Sequence, residues 1–429
     1  MSITTLDIRT STFPGIAPRL LNDGRPEPLQ EYLRAGGYRA TSNPEALLAA
    51  VRDAGLRGRG GAAFPLARKI LAVREGFAAP IVVANGEEGE PSSVKDRWLL
   101  RSRPHLVLDG VRLAAAMVGA QEAYVYVSDA AAAASVEQAL EKFSGQGWAE
   151  LEVRVHQVEP SYVAGEETAA VRSLNGGPAL PQDKPPRPFE QGVHDRPTLV
   201  SNVETLANLP AVRARGAAAY RAVGTEDSPG TFLLTLTGGW QRPGLYEVPF
   251  GVSLREVLEW VGEDPDAVGG VLAGGYFSGL LSVRALDLPL EYGAFRAAGS
   301  GLGCGAMALL GPGVCPVSTA AEVLAYFAQN NAAQCGSCFN GTAAMAAVAE
   351  ALREHRADAS DVERLLTWSV GLRGRGACGT LDGATNVAGT LLREFPAVVE
   401  EHVAGVCVVC AGRPGPEGPP FAVLTGRSR

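Results

Sequence analysis

Pro80-Ile-Val-Val-Ala-Asn-Gly-Glu-Glu-Gly-Glu-Pro91 runs four apolar residues together, then breaks into glycines and carboxylates. An unbroken run of β-favouring apolar residues reads as a strand buried on both faces. The period turns helical over His105 to Ala120, and Ala123-Tyr-Val-Tyr-Val127 is a second strand. Asp129 to Phe143 is an alanine-rich helix for which Ser128 is the expected cap, and Leu151 to Val158 alternates as a third strand. Strand, helix, strand, helix, strand implies a largely parallel sheet covered by helices. Such α/β sheets bind ligands beyond the carboxyl ends of their strands. Asn85 to Pro91 follows the first strand there, and Tyr162-Val-Ala-Gly-Glu-Glu-Thr168 follows the third. Both carry glycine and paired carboxylates, which accept hydrogen bonds from sugar hydroxyls. They equally suit solvated acidic turns.

Upstream lies Gly55-Leu-Arg-Gly-Arg-Gly-Gly-Ala-Ala-Phe-Pro-Leu-Ala-Arg-Lys69, after a short helix from Ala46 that ends at Gly55. Glycines this dense leave backbone N–H groups open to phosphate oxygens or the edge of a heteroaromatic ring. The stretch is neither a P-loop nor a Gly-x-Gly-x-x-Gly turn. Read alone, a flexible arginine–glycine loop explains it as well.

The 429 residues allow two to four domains, and 46% hydrophobic residues can fill real cores. A net charge of −8 with no long basic run argues against a general nucleic-acid binder. Met1 to Phe13 lacks the apolar core of a secretory signal. The best apolar run, His105 to Ala120, is interrupted by Asp109 and Arg112, so no membrane span is expected. The expectation is a soluble cytoplasmic protein.

Further along, Lys184-Pro-Pro-Arg-Pro188 reads as a rigid extended stretch, and Pro197 to Leu206 mixes polarity like a ligand wall. After Ala222 the composition shifts. Strands are expected at Thr231–Thr237 and Leu245–Pro249, with turns at Gly238-Gly239 and Arg242 to Gly244. A Ser253–Glu256 capping box opens a helix to Val261, and Leu272 to Tyr276 continues the module. This order fits a β-grasp module. Helices follow at about 319–330, 342–355, 360–370 and 381–394, with capping boxes at Thr319–Glu322 and Ser360–Glu363.

All seven cysteines fall at 304 or later. Cys335-Gly-Ser-Cys338 and Cys407-Val-Val-Cys410 are C-x-x-C pairs, and Cys378 stands among glycines. Such pairs hold zinc or an iron–sulfur cluster, but the pairs lie too far apart in sequence for a zinc ribbon. Cys304 and Cys315 are expected as buried structural thiols.

Set side by side, these motifs resemble the family of FMN-carrying NADH-dehydrogenase flavoproteins of respiratory complex I, with relatives in NAD-linked hydrogenases and formate dehydrogenases. The resemblance spans about residues 50–403. It rests on the order Gly58-Arg-Gly-Gly-Ala-Ala-Phe64, Asn85 to Arg97, Gly165-Glu-Glu-Thr168, Lys184-Pro-Pro186, Asn202-Val-Glu-Thr-Leu206, Cys335-Gly-Ser-Cys338 and Cys378. It implies an N-terminal arm (1–45), a Rossmann-like, parallel-sheet α/β domain for FMN and dinucleotide (46–228), a β-grasp domain of the soluble-ligand-binding type (229–312), a helical domain with a [4Fe–4S] cluster (313–403) and a Pro/Gly-rich tail (404–429).

By that resemblance Gly58, Gly60, Gly61 and Lys69 border FMN, with Arg59 in the same cofactor-binding set. Asn85, Glu87 and Glu88 hold its ribityl chain, Tyr162, Gly165 and Glu166 line the flavin, and Asn202 and Thr205 complete the pocket. Phe64, Glu90, Glu167 and Lys184 face the dinucleotide, NAD(H) or NADP(H). Hydride passes to the flavin and electrons leave through the cluster to a ferredoxin-like or complex-I-type partner; no catalytic side chain is implied beyond the cofactors.

The chain departs from the family pattern. Ala63 replaces a loop glycine and would place a methyl beside the isoalloxazine. Arg187 and Ala72 replace aromatic residues that stack on adenine, which leaves NADPH or a reduced protein carrier open as the donor. Cys335 to Thr342 lacks the third cluster cysteine. Cys335, Cys338 and Cys378 remain as ligands, with Cys407 or Cys410 first in line for the fourth place. The competing readings are a scaffold that has lost the chemistry and a soluble-ligand binder working through the β-grasp module.

Overall fold

The computed structural model describes residues 6, 8–40, 43–143, 151–238, 243–410 and 418–423. Within them the strands are β1 (Arg9–Thr12), β2 (Ile81–Asn85), β3 (Glu122–Val127), β4 (Glu152–Gln157), β5 (Thr198–Asn202), β6 (Thr231–Thr237), β7 (Gly244–Pro249), β8 (Gly270–Ala273), β9 (Leu280–Ser282) and β10 (Ala306–Leu310). They form a four-stranded sheet in the order β4-β3-β2-β5 and a six-stranded sheet in the order β1-β7-β6-β10-β8-β9.

Every pairing in the first sheet is parallel. β2 sits inside it, and its residues divide between the two faces, as the unbroken apolar run predicts. Val82 and Ala84 join a core built with the helices Lys95–Ser102, Pro104–Val118 and Ala130–Phe143. Ile81 and Val83 join Tyr126, Ala170 and Val171 on the other face. The helix Pro44–Ala54 ends as expected on Gly55, whose φ of 68° is the left-handed conformation that glycine adopts without cost. Asp129, not Ser128, caps the following helix: its Oδ1 accepts the Ala132 N–H at 2.7 Å. β5 is a strand where the sequence suggested only a ligand wall.

The second sheet is mixed. β6 and β10 are parallel neighbours, and β10 runs antiparallel to β8. The helix Leu254–Val261 opens on the expected Ser253–Glu256 capping box and packs on a separate apolar core with β6, β7 and β8. The expected turns at 238–244 fall largely outside the described residues. Residues 8–21 are part of this region: β1 pairs parallel with β7, and the buried Glu247 carboxylate accepts the N–H groups of Arg19, Leu20 and Leu21.

Helices Pro316–Gln329, Gly336–Arg353, Ala359–Gly371, Thr380–Glu394 and Pro396–Val403 share a third core with Leu272 and Leu280. Two helix starts differ from expectation. The first begins at Pro316, with Ser318 Oγ donating to Glu322, so Thr319 caps nothing. The third carries its capping box on Asp358 and Asp361 rather than on Ser360 and Glu363. Among the described residues no helix is long and apolar enough to cross a membrane.

Candidate functional site

β2 and β5 end side by side, with Asn85 and Asn202 as register partners. Asn202 Oδ1 accepts the Glu204 N–H at 3.0 Å and so opens the short helix Val203–Ala207. Its Nδ2 donates to Asp96 at 2.7 Å. The glycine loop lies directly against it: a Cβ on Gly60 would stand 3.3 Å from the Asn202 Cβ. The loop is closed at its neck by the Gly58 N–H, which donates to the Phe64 carbonyl at 2.9 Å. Gly60 is exposed, and among the described residues the N–H groups of Gly60 and Gly61 have no protein acceptor.

The two acidic turns pack on one another. Asn85 Nδ2 donates to the Gly165 carbonyl at 2.8 Å, and Glu87 Oε1 accepts the Ser161 N–H at 3.3 Å. Gly89 and Gly165 permit the approach, since a Cβ would meet the Ser161 oxygen at 2.6 Å or the Glu87 oxygen at 3.1 Å. The segments of Gly60, Asn85, Gly165 and Asn202 therefore converge at one end of the parallel sheet. Glu87 is buried there, and its Oε2 has no partner at hydrogen-bond distance among the described residues. Burial pushes its pKa up to about 7, against the pull of the Ser161 N–H and the Ser128 hydroxyl.

Several expected contacts are spent inside the protein. The Arg59 guanidinium points away from the bare loop, donates to Tyr220 Oη and the Thr231 carbonyl, and stacks 4.6 Å above the Phe250 ring. Its own N–H is taken by Thr205 Oγ1 at 2.8 Å, so Arg59 and Thr205 hold the loop instead of a ligand. Glu88 is filled by Ser93 Oγ, the Asp96 N–H and Arg97. Burial alone would raise its pKa, but Arg97 and Lys95 outweigh this and hold it low. Glu90 accepts from Ser92 Oγ at 2.7 Å and the Tyr276 N–H at 2.9 Å, which turns it toward the second sheet; burial raises its pKa to about 7. Glu166 caps the helix Glu167–Leu174 through Oε2 and accepts Lys184 Nζ at 2.6 Å through Oε1. Ala63 takes φ 52°, where its family counterpart is glycine, and its methyl is buried in the second core rather than turned toward a cofactor.

Lys184 Nζ also stands 3.2 Å from Glu167, and Lys69 Nζ 3.5 Å from it. Burial would raise the Glu167 pKa, yet the two lysines hold it low. The Lys184 stretch bends at 184–186 instead of running extended. Phe64 is 47% exposed beside the loop, with the Arg68 guanidinium 5.6 Å from its ring centre.

A buried cation went unread in the sequence. Lys95 sits 2.7 Å from Asp96 and 3.0 Å from Glu204, all nearly inaccessible. Burial would lower its pKa, but the two carboxylates raise it, so it stays charged beneath Asn202. Only the apolar company of Val94, Trp98 and Leu99 hinted that this Lys-Asp pair is not a solvated helix start.

Cys335, Cys338 and Cys378 line one hollow with Pro181, Gln334 and Ala377. Cys335 precedes the helix Gly336–Arg353 and Cys338 lies in its first turn, while Cys378 precedes the helix Thr380–Glu394. Helix N-termini favour the negative charge of a thiolate-bound cluster. Ala377 N–H points at Cys335 Sγ at 3.5 Å. Burial first, then the neighbouring Cys378 and Cys335 sulfurs, raises the Cys338 thiol to about 11. Three sulfur donors around one hollow fit a cluster ligated by this chain through three thiolates. Tyr162 is half-buried, edge-on against Tyr326 and Phe327. It lies between the acidic turn at Gly89 and the helical bundle.

Cys407 and Cys410 do not reach this hollow. They gather with Cys315 and His402 near Leu352. Leu352 and Cys335 lie at opposite ends of one helix, about 25 Å apart at about 1.5 Å per residue. The expectation that either completes the cluster is thereby corrected, whereas Cys315 is buried, as expected. Cys304, expected as a buried thiol, is only partly covered, and desolvation of its sulfur pushes the thiol up to about 12.

Residues 51–211 match the family model described as the Nuo51 FMN-binding domain, and residues 318–402 match the NADH-ubiquinone oxidoreductase-F iron-sulfur binding region. The NADH-quinone oxidoreductase F 2 subunit of Rhizobium meliloti (strain 1021) is 32% identical over 396 residues, covering 87% of this chain and 94% of its own. The chain belongs to the F-type family of NADH-quinone oxidoreductase subunits. The F-type relative in Mycobacterium tuberculosis (strain ATCC 25618 / H37Rv) is 33% identical over 406 residues, 88% of this chain and 90% of that one. The solved NAD+-reducing [NiFe]-hydrogenase in its H2-reduced state superposes with a TM-score of 0.81 at 33% identity, covering 88% of this chain and 67% of that one. As an F-type relative, this chain is a flavin and iron–sulfur oxidoreductase of the NADH-dehydrogenase type, binding FMN and a [4Fe–4S] cluster. Members of the family work as subunits of larger assemblies.

Proposed function

We propose that this chain takes electrons from NADH at the carboxyl ends of β2 and β5 and passes them to an iron–sulfur partner protein. The observation that carries this reading is the convergence of Gly60, Asn85, Gly165 and Asn202, with the orphaned Glu87 oxygen among them. FMN, when bound, accepts a hydride as an electron pair and releases the electrons singly. Gly60 and Gly61 offer it unused N–H groups, and Gly58 keeps their loop closed. Asn85 and Glu87 supply acceptors for ribityl hydroxyls. Phe64 offers a face to the dinucleotide, and the Lys69–Glu167–Lys184 group holds its polar end. Tyr162 covers the path toward Cys335, Cys338 and Cys378. A division into the expected five segments and a cytoplasmic location belong to this reading, as does a ferredoxin-like acceptor.

Arg187 is exposed beside Lys184, and its guanidinium has no hydrogen-bond or ion-pair partner among the described residues. It replaces a lost adenine-stacking face, worth about 0.5–1.5 kcal/mol for such contacts. Anaerobic mixing of the loaded protein with NADH should bleach the flavin band faster than NADPH does. Glu167→Gln should slow that reduction about tenfold while flavin content holds. Equal flavin loss and slowing would place Glu167 in flavin retention, and an unchanged rate would remove it from the dinucleotide site.

A further inference from the structure

The geometry points to a structural zinc site formed by Cys315, His402, Cys407 and Cys410, separate from the flavin and the cluster. The donor atoms of these four residues all lie within 4.8 Å of one another. Around a tetrahedral zinc with Zn–S bonds of about 2.3 Å, sulfurs stand about 3.8 Å apart, so a small contraction closes the site. The donors are too close to surround a cube of four irons, each of which would have to stand between its cysteine and the rest. They suit one ion.

The histidine is already oriented for it. His402 is fully buried, and its Nδ1 sits 2.8 Å from the Leu352 carbonyl, which can only accept. Nδ1 therefore carries the proton, and the lone pair of Nε2 faces the sulfurs, 3.2 Å from Cys315 Sγ. A carbonyl fixing the tautomer in this way is the usual outer contact of a zinc-bound histidine.

The turn after His402 is built around the sulfurs. Val406 is 60% exposed and Val408 85% exposed, while Cys407 is buried. Apolar packing alone would have turned the valines inward. Three cysteines and one histidine, all buried except the partly covered Cys410, fill four positions and leave none open, which describes a structural rather than a catalytic zinc. The donors come from three places: the start of the helix Pro316–Gln329, the last turn of Pro396–Val403, and the turn beyond it. The ion would clamp the chain's exit to the bundle. Three of the four donors lie outside the residues matched by the family models.

The test is metal analysis of the full chain purified anaerobically with reduced thiols. About one zinc per chain is expected, retained in Cys335→Ser and lost in the Cys407→Ser/Cys410→Ser double variant, with flavin and iron unchanged in the double variant. Should that variant fail to fold, X-ray absorption at the zinc edge of the wild-type chain decides, with three sulfurs and one nitrogen expected. Wild-type protein carrying less than about a tenth of a zinc per chain, zinc with another ligand set, or a Cys407–Cys410 disulfide found by mass spectrometry would overturn the assignment.

Discussion

Glu87 and Lys95 show how much of this site depends on single buried charges. The Glu87 carboxyl has a pKa raised to about 7 by burial, above its unfolded value near the ordinary 4.5. The folded chain therefore binds a proton that the unfolded chain releases as pH climbs between those values. Apo-protein stability should fall from about pH 5 to pH 7, and Glu87→Gln should remove part of that fall, on the order of 1–3 kcal/mol. Melting temperature against pH, for the wild type and the variant without flavin, measures it; parallel curves would contradict it. Lys95 balances Asp96 and Glu204 in the interior. Lys95→Met should cost about 3–5 kcal/mol in urea unfolding, because it strands buried carboxylates. A loss below about 1 kcal/mol would mean that those groups take up protons or water instead. Neither residue's state was legible in the sequence. An acidic turn shows where a carboxylate stands, not whether it faces a ligand, a lysine or a neighbouring N–H. Hence Glu88, Glu90 and Glu166 read alike with Glu87, yet only Glu87 keeps an unused oxygen.

At the scale of elements, legibility followed the range of the interaction. The Pro80–Asn85 run announces its strand because burial on both faces leaves no room for polar positions. Helix starts proved harder: Asp129 and Asp358 cap where Ser128 and Ser360 were expected. A carboxylate within a residue or two serves the same N–H groups, so composition alone does not choose between them. The cysteines are the long-range extreme. Helix N-termini bring Cys335, Cys338 and Cys378 together, whereas Cys315 finds its partners only through the folding of the whole bundle. Cys335→Ala should abolish the iron–sulfur cluster and leave flavin bound, as iron and flavin assays on one preparation will show. Loss of flavin with iron intact would reverse the assignment.

Across the whole molecule, the first sheet and the helical bundle meet at a group of aromatic rings. Tyr162 follows the first sheet and packs on Tyr326 and Phe327 of the bundle, while Glu90 reaches Tyr276 beside the second sheet. The N-terminal segment is stitched into the second sheet by Glu247, and Val423 returns to Pro91 with its N–H 2.9 Å from the carbonyl. Residues 19–21 are thus tied to the second sheet and residue 423 to the acidic turn. The most direct test of the proposed electron transfer is an anaerobic NADH titration of the purified chain, followed by visible absorption and by electron paramagnetic resonance. The account predicts that the flavin band bleaches and a reduced-cluster signal rises in the same sample, and that Cys335→Ala keeps the first change and loses the second. A protein that stays colourless after reconstitution, or a flavin that bleaches while an intact cluster stays oxidised, would contradict it.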